Sequence, residues 1–493
     1  MQVSHRKKNQ KGMAVIMTAL TMLVSIPLVG LAVDVGILYM IRGKLQQAVD
    51  ASALAGARAL ATGTTTGEQA SSAQAAATKF FNANLPAGFW GVTGINFATP
   101  TVDSVSTPNY RTVTTSATLN APLYFLRILG SNTTLIAASS QSGRRDVVMM
   151  LVLDRSSSMN LAFEGTTACA IMKTDAAQFL NYFAAGRDMV GLVVFGSSVF
   201  TYPPTTTFTT KDANGNTVAS LIGAITCGGN TNTVGALNSA YQQIVTANST
   251  TRANVIVLMT DGRPNGFPAD YISPVDERKS PANCDKGAAS MIGVVAQWAG
   301  GPVTSGGNTA GLMLPTSTSP DSTKAGNDGA ITASGCGFVA NPVANVLKAM
   351  PNKDIFGNST TGQYSVNNPN TPYGGVADNL NINIPAEVEI ASTNAMDNQG
   401  ITIRQNAVLK PNIYTIALEG DDPSGTDLPD TLLLRKMAND PTMQNDPSAT
   451  ARLFWTQQNP GQTVGYFADA PDASELNAAF NSIAERITVR LAQ

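Results

Sequence analysis

The chain has 493 residues, enough for about two to four domains of roughly 100 to 200 residues each. Charged residues make up 13% of it, and 31 basic against 33 acidic side chains give a formal net charge of −2. A balance so near zero gives no reason to expect nucleic acid or a strongly charged surface as the partner.

A basic N-terminal tail precedes a long uncharged segment, residues 13–33. The basic residues are Arg6, Lys7, Lys8 and Lys11. At about 1.5 Å per helical residue the uncharged segment spans roughly 30 Å, the thickness of the hydrocarbon core of a bilayer. We therefore predict a cytoplasmic tail at 1–12, a single transmembrane helix at 13–33 and an extracytoplasmic remainder, in a bacterial inner membrane.

Two cleaved leaders begin in a similar way. A secretory signal peptide has a shorter apolar region, and no clean A-x-A cleavage site follows here. A type IV prepilin leader would fit the pair Lys11-Gly12, but prepilins carry Glu at the fifth position after the cut, where this chain has Met17. A retained anchor is the interpretation that we keep.

Residues 34–143 have the pattern of a small α+β module. The helical pattern continues to about Leu60, and a short helix follows a small-residue loop. Apolar and polar residues alternate from Thr112 to Leu119, and a second strand is predicted from Thr133 to Ser140. Asp34, at the outer edge of the span, is either a solvated boundary residue or a functional one.

A set of residues in the N-terminal part matches a known family pattern. The set comprises the basic lead, Lys11-Gly12-Met13-Ala14-Val15, Pro27, Val33-Asp34-Val35-Gly36, Tyr39 and Leu45-Gln46-Gln47-Ala48-Val49-Asp50-Ala51-Ser52-Ala53-Leu54-Ala55-Gly56-Ala57. With these residues the chain resembles Tad pilus-assembly proteins of the TadE/TadG-like type. The resemblance implies a membrane-anchored component, or a relative, of the machinery for tight-adherence (Flp) pili, with other Tad components as partners.

From residue 144 to 493 the pattern is that of an open α/β fold. Val147 to Leu153 is a continuous apolar run, typical of a strand buried on both faces. Met189 to Phe195 and Asn254 to Met259 repeat this pattern, and a helix is predicted from Val234 to about Thr246. Later elements are predicted at Asn412–Leu418, Leu432–Ala438, Gly465–Phe467 and Ala473–Val489.

Three polar loops lie beside these elements. They are Asp154-Arg155-Ser156-Ser157-Ser158 after the first strand, Gly228-Gly229-Asn230-Thr231-Asn232-Thr233 before the helix, and Thr260-Asp261-Gly262 after the third strand. The carboxyl ends of parallel strands meet at one edge of the sheet, where open α/β sheets bind ligands. We therefore expect the loops to lie together, although Asp and Ser at such turns also serve as helix caps.

The residue types in the loops suit a hard metal ion. Mg²⁺ takes six oxygen ligands in near-octahedral geometry. Ser156, Ser158 and Thr231 offer neutral hydroxyls, while Asp154 and Asp261 supply negative charge directly or through water; Thr233 is an alternative to Thr231. Too few anions reach the inner coordination shell to neutralise the ion, so an open position stays attractive to an Asp or Glu of a protein partner. Mn²⁺ and Ca²⁺ are alternative ions.

These five positions resemble the metal-ion-dependent adhesion site of von Willebrand factor A (VWA) domains. Asp154, Ser156 and Ser158 match the family's D-x-S-x-S loop, Thr231 its second-loop threonine and Asp261 its third-loop aspartate. The resemblance implies an α/β fold, a Rossmann-like doubly wound VWA domain. The closing Tyr-Phe-Ala-Asp-Ala stretch and last helix also resemble TadG-type VWA domains.

The VWA pattern is interrupted at about 263–386 by an insertion rich in Gly, Asn and Pro. A long loop without secondary structure is usually functional or disordered, so the insertion either contacts the partner, shields the site or is a passive loop. The chain's cysteines allow three connectivities. We expect the pairs Cys169–Cys227 and Cys284–Cys336, with free thiols as the alternative.

The sequence favours a binding protein over an enzyme. His5 is the only histidine and lies in the predicted cytoplasmic tail. No phosphate-binding loop, G-x-S-x-G elbow or HExxH motif is present. We expect metal-dependent docking or adhesion associated with Flp pilus assembly; alternatives are an envelope adhesin unrelated to pili, a metal-dependent hydrolase and a pilin-like structural subunit.

Overall fold

A computed structural model describes residues 11–163, 165–272, 290–296, 314–324, 351–364, 372–375, 385–419, 428–458 and 461–490. The chain divides into two compact units between Arg144 and Arg145. The helices are α1 (Lys11–Ala59), α2 (Thr66–Asn84), α3 (Ala168–Phe179), α4 (Val218–Gly223), α5 (Thr233–Ala247), α6 (Pro385–Arg404), α7 (Thr431–Ala438), α8 (Ala449–Gln458) and α9 (Ala473–Arg490).

The strands of the first unit are β1 (Thr93–Phe97), β2 (Thr101–Thr107), β3 (Tyr110–Pro122) and β4 (Thr133–Arg145). Those of the second unit are β5 (Val147–Asp154), β6 (Ala162–Phe163), β7 (Thr166–Thr167), β8 (Met189–Phe195), β9 (Val199–Thr205), β10 (Ala253–Thr260), β11 (Gly266–Ile272), β12 (Ser290–Ala296), β13 (Gly362–Tyr364), β14 (Pro372–Gly375), β15 (Asn412–Leu418) and β16 (Tyr466–Ala470).

The first unit begins with α1, a helix of 49 residues with Pro27 in its interior. At about 1.5 Å per residue it is roughly 74 Å long, more than twice the thickness of a hydrocarbon core. Its residues from Ala14 to Val29 are exposed. Within the described part of the chain, α1 is the one helix that is long and apolar enough to cross a membrane, by length and composition.

The rest of the first unit packs onto the second half of α1. Ile41, Leu45 and Val49 of α1 form a buried cluster with Phe81 of α2 and Leu119 of β3. α2 begins with a capping box between Thr65 and Glu68 and, at 19 residues, is longer than the short helix that the sequence predicts. β1, β2 and β4 all pair with β3 in a four-stranded sheet.

The second unit contains a six-stranded sheet in the order β16-β15-β10-β5-β8-β9. Neighbouring strands are parallel except for β9, which is antiparallel to β8 at the edge. Every residue of β5 is buried because helices cover both faces of the sheet. Met150 packs in a cluster with Leu237 of α5, and Leu151 packs in the opposite cluster with Phe480 of α9. The predicted α/β, doubly wound class is confirmed.

The chain order reverses at the centre of this sheet. Along the chain, β8 follows β5 and lies on one side of it, and β10 comes next and lies on the other side. Such a switch point leaves a crevice beyond the carboxyl ends of the two central strands. Asp154 is the last residue of β5, and Asp261 directly follows β10. The topology therefore places both carboxylates at the crevice.

The described parts of the insertion at 263–386 contain regular structure. β11 follows the third polar loop and pairs with β12, and its residues Phe267 and Ala269 are fully buried. β13 and β14 form a second hairpin. From the Gly, Asn and Pro content we expected a loop without secondary structure, and for these ranges that expectation is wrong. The reason is that buried apolar residues at alternate positions of β11 pack against the helices that cover the sheet.

Candidate metal centre

Asp154 is held rigidly at the end of β5. Its side chain is buried, with Oδ1 accepting a hydrogen bond from the backbone N–H of Ser156 at 2.7 Å. Its Oδ2 accepts a hydrogen bond from the hydroxyl of Thr260, the last residue of β10, at 2.5 Å. Thr260 itself is buried and also bonds to Gly262. The first loop thus fixes one carboxylate oxygen of Asp154, and the neighbouring strand β10 fixes the other.

The serines of the first loop converge on Asp261. The hydroxyl of Ser158 donates to Asp261 Oδ1 at 2.9 Å, and that of Ser156 donates to the same oxygen at 3.2 Å. The two serine oxygens lie 3.0 Å apart. Asp261 and Ser156 are buried, while Ser158 is half-buried. Three of the predicted ligands therefore present their oxygens to a common point.

Thr231 lies on the second loop, which is tied to the third by backbone hydrogen bonds. Its N–H donates to Asn265 Oδ1 at 2.7 Å, and its carbonyl accepts from the N–H groups of Asn265 and Gly266 at 3.1 Å each. Thr231 is 3% exposed. The sequence did not single out Asn265; the only available signal was its position four residues after Asp261, in the loop leaving β10.

The first loop is tied to the second through Ser157. Its N–H and its hydroxyl both donate to the carbonyl of Gly229, at 3.0 and 2.9 Å, and its hydroxyl accepts from the N–H of Gly229 at 3.1 Å. Ser157 occupies a variable position of the D-x-S-x-S string, so its role was not predicted. All three loops are consequently joined by hydrogen bonds.

Thr233 begins helix α5, directly after the second loop. Its hydroxyl oxygen is buried and, within the described part of the chain, has no hydrogen-bond partner. An unpartnered buried hydroxyl usually costs free energy, so it commonly marks a place where a ligand or water completes the bonding. Thr233 therefore stays an alternative to Thr231 as the second-loop ligand.

A disulfide lies next to the second loop. It joins Cys169 of α3 to Cys227, which directly precedes Gly228, and it is one of the two expected pairings. The carbonyl of Cys227 also accepts a hydrogen bond from the side chain of Asn160 at 2.8 Å. Cys284 and Cys336, the other expected pair, lie outside the described residues.

Part of the insertion, residues 314–324, adjoins the first two loops. The buried guanidinium of Arg155 donates to the carbonyl of Pro320 at 3.1 Å. The hydroxyl of Thr226 bonds to Asp321 at 2.5 Å, and this bond, with others from Thr323, lowers the pKa of Asp321 to about 2. An ionised Asp321 thus fastens the insertion beside the polar loops at neutral pH.

The donor set fits a hard divalent cation. Among the described residues, no group of three or more His, Cys, Asp or Glu side chains is placed so that it could hold a metal ion. The candidate centre instead combines two carboxylates, Asp154 and Asp261, with hydroxyls. Oxygen donors suit Mg²⁺, Mn²⁺ or Ca²⁺, whereas Zn²⁺ and copper favour nitrogen and sulfur. Hydroxyls already oriented toward a carboxylate can turn their lone pairs to a cation with little rearrangement.

Family models match both units of the chain. Residues 149–263 match the von Willebrand factor type A domain, a range that includes all five predicted ligands. The second unit is therefore built on a VWA domain. Residues 12–59 match the family described as putative Flp pilus-assembly TadE/G-like, in agreement with the resemblance of the N-terminal segment. The chain thus joins a TadE/G-like segment to a VWA domain.

Similar solved structures have low identity. The vWF domain of the type V pili tip protein Mfa5 from Porphyromonas gingivalis is 16% identical, with 71% of this chain and 97% of that chain covered and a TM-score of 0.34. The pilus adhesin SpaC from Lactobacillus rhamnosus GG is 12% identical, with coverages of 80% and 34% and a TM-score of 0.34. The chain thus spans about a third of the length of SpaC.

A third similar structure is the adhesive tip pilin GBS104 from Group B Streptococcus agalactiae. It is 13% identical, 80% of this chain and 68% of that chain are covered, and the TM-score is 0.32. Among curated proteins, none matches the chain.

Proposed function

We propose that the chain is a membrane-anchored docking component associated with tight-adherence pilus assembly. In this proposal a divalent cation at the candidate centre binds an Asp or Glu side chain of a protein partner. Helix α1 anchors the chain in the bacterial inner membrane with the basic tail in the cytoplasm, and both compact units are extracytoplasmic. The match of residues 12–59 to a pilus-assembly family supports the pilus association.

The observation that carries the proposal is the convergence of Ser156 and Ser158 on one oxygen of Asp261. Asp154, held by Thr260 and by the N–H of Ser156, supplies the second carboxylate. A bound Mg²⁺ would supply a positive charge with an open coordination position. The other protein donors are neutral hydroxyls, and a carboxylate that acts through a bound water stays outside the inner coordination shell, so too few anions reach that shell to neutralise the ion. A partner carboxylate is the ligand that such a position favours.

A docking role is favoured over hydrolysis by the surroundings of the centre. A metal hydrolase needs a general base beside its activated water. The carboxylates of the centre are Asp154 and Asp261, and both are engaged by hydrogen bonds from the loops themselves. Arg155, the remaining charged residue of the first loop, points its guanidinium to Pro320 and Ser198 and acts as a structural group.

The test is a calorimetric titration of Mg²⁺ and Mn²⁺ into the full chain in lipid nanodiscs. We expect saturable binding by the wild type and its loss in Asp261→Asn and in Ser156→Ala. Asp212→Asn is the matched control, because Asp212 lies past the end of β9 at the opposite edge of the sheet and accepts hydrogen bonds from backbone N–H groups.

The same variants are then tested for binding to purified Tad pilus components. Binding that requires Mg²⁺, is abolished by a chelator and is absent in Asp261→Asn supports the docking mechanism. Wild-type protein that is folded by circular dichroism but binds no cation, with or without those components, contradicts it. If the chain binds unrelated envelope proteins in a cation-dependent way but binds no pilus component, the metal site is supported and the pilus association is overturned.

A further inference from the structure

A segment of the first unit reaches back along α1 into the uncharged run. Phe125 lies against Gly30, so closely that a Cβ atom on Gly30 would stand 2.8 Å from Cβ of Phe125. Gly30 is also the first buried position along the described part of α1. Since residues 13–33 carry no charge, Phe125 lies beside a part of the helix with the composition of a membrane span.

Asp34 fixes this segment in place. Its carboxylate is 1% exposed and accepts hydrogen bonds from three consecutive backbone N–H groups. The N–H of Tyr124 is 3.0 Å from Oδ1, and that of Leu126 is 2.7 Å from Oδ2. The N–H of Phe125 contacts both oxygens, at 3.2 and 3.0 Å. Asp34 is therefore buried rather than a solvated boundary residue, and it fixes the segment to α1.

Aromatic side chains in and beside this segment are exposed. Phe125 is 45% exposed, Tyr124 41% and Trp90 49%. Tyr124 is joined to Trp90 by a hydrogen bond from its hydroxyl to the Trp90 carbonyl at 3.3 Å. Trp and Tyr are enriched where membranes meet water, because their rings are apolar and their polar atoms can stay hydrated. Arg127, next along the segment, is exposed and can meet anionic lipid headgroups.

The position of Phe125 along α1 favours a lipid surface as the partner that covers these exposed rings. Gly30 is four residues, or about 6 Å, toward the N-terminus from Asp34. Interfacial apolar side chains typically enter a bilayer by about 5 to 10 Å. A ring fixed beside Gly30 would therefore lie at that depth if Asp34 marks the end of the span.

We propose that Trp90, Tyr124 and Phe125 form a second membrane contact, inserted in the outer interface of the bilayer that α1 crosses. This contact rests on the proposed membrane anchoring by α1. It holds the first unit at a fixed height on the membrane surface, because Asp34 couples the segment directly to the helix. A second copy of the chain or a neighbouring membrane protein is the competing occupant of the same residues.

Depth-dependent quenching of single tryptophans tests the proposal. The full chain, with Trp90, Trp298 and Trp455 replaced by Phe, receives one tryptophan by Phe125→Trp, Leu23→Trp or Val105→Trp. Each variant is placed in bilayers of phosphatidylethanolamine and phosphatidylglycerol with acyl chains brominated near the headgroup or near the methyl end. Val105 is 88% exposed and lies in the sheet region that packs near Gly56, roughly 40 Å farther along α1.

We expect emission from Phe125→Trp to be lost with bromine near the headgroup, and emission from Leu23→Trp with bromine near the methyl end. Val105→Trp should keep its emission in both. Quenching of Leu23→Trp without any quenching of Phe125→Trp would leave the transmembrane anchor intact and overturn the second contact. If neither is quenched, α1 does not span the bilayer and both proposals fall.

A second pair of variants tests the role of Asp34. In the Phe125→Trp background, Asp34→Asn places an amide donor against backbone donors, so the segment should detach and the quenching should fall. Asp50→Asn is the control, because Asp50 is exposed on the same helix and its carboxylate bonds to the side chain of Gln46. Equal quenching in both variants would contradict the coupling of the segment to α1.

Discussion

The hydroxyl of Ser158 donates a hydrogen bond to Oδ1 of Asp261 at 2.9 Å, although 103 positions separate the two residues in the chain. The contact arises because β5 and β10 are adjacent parallel strands whose carboxyl ends meet at the switch point of the sheet. Ser158 follows the first of these strands, and Asp261 follows the second. Any change that shifts one strand end against the other will therefore disturb the candidate centre.

Thr260→Val should weaken metal binding without removing a predicted ligand. The change deletes the hydroxyl that bonds to Asp154 Oδ2 but keeps the shape and β-branching of the side chain. Groups that orient a metal ligand typically contribute about 10- to 100-fold in metal affinity. We expect a loss of that size for Mg²⁺ in isothermal titration calorimetry.

Thr415→Val is the control for Thr260→Val. Thr415 is also buried, in the middle of β15, and its hydroxyl bonds to the carbonyl of Leu434 on helix α7, away from the carboxyl edge of the sheet. Its replacement should lower thermal stability with little effect on Mg²⁺ affinity. Equal Mg²⁺ affinities in wild type and a folded Thr260→Val protein would count against Asp154 as a metal ligand.

Hydrophobic patterning predicted the elements that position the candidate centre. Met189–Phe195 and Asn412–Leu418 have the predicted bounds, because strands buried on both faces are uninterrupted apolar runs. The loops at their ends follow from the parallel topology. For the predicted ligands, hydrophobic patterning gave their order along the chain and the edge of the sheet at which they meet.

Other features depend on contacts that local patterning does not contain. Asp34 is buried because its partners lie at positions 124–126, about ninety residues away in the chain. Helix α6 was not predicted because polar residues occupy much of its buried surface, with Asn394, Asp397 and Gln399 each at most 3% exposed. Asp397 is paired there with Lys436 at 2.5 Å, a partner outside the helix.

Thr231→Ala and Thr233→Ala should identify the second-loop ligand. The resemblance to VWA domains implies that Thr231→Ala lowers Mg²⁺ affinity, because a neutral oxygen donor is lost. On the same resemblance Thr233→Ala, which removes the hydroxyl of the alternative ligand, should leave that affinity unchanged. Calorimetric titration of both variants distinguishes them. The reverse pattern would assign the ligand to Thr233.

Replacing Cys169 and Cys227 by Ser should destabilise the VWA domain and loosen its second polar loop. The disulfide closes a chain segment with a sequence separation of 58, for which loop entropy alone corresponds to about 4 kcal/mol. We expect a lower midpoint in chemical unfolding and faster amide hydrogen exchange at Gly228 to Asn230. The control is the Cys284→Ser, Cys336→Ser protein, which keeps this bond. Unchanged exchange in the Cys169, Cys227 variant would contradict a role in ordering the loop.

Asp175→Asn should stabilise the VWA domain at neutral pH. Asp175, on α3, is 8% exposed, and burial raises the pKa of its carboxyl while a weak bond from Asn477 opposes this. A folded-state pKa above the unfolded value of 3.8 means that ionisation costs stability, and the cost disappears as the pH falls below both pKa values. The gain in melting temperature should therefore be present at pH 7 and absent near pH 3.

Asp472→Asn should change the melting temperature in the opposite direction to Asp175→Asn. Asp472 precedes α9 and bonds to the Ser474 hydroxyl and to the N–H of Glu475, and these bonds lower the pKa of its carboxyl. Its ionised form therefore stabilises the fold above the unfolded pKa, and this contribution declines as the pH falls through the folded pKa. Asp472→Asn should lower the melting temperature at pH 7. A decrease with Asp175→Asn as well would mean that the Asp175 carboxylate has a stabilising partner.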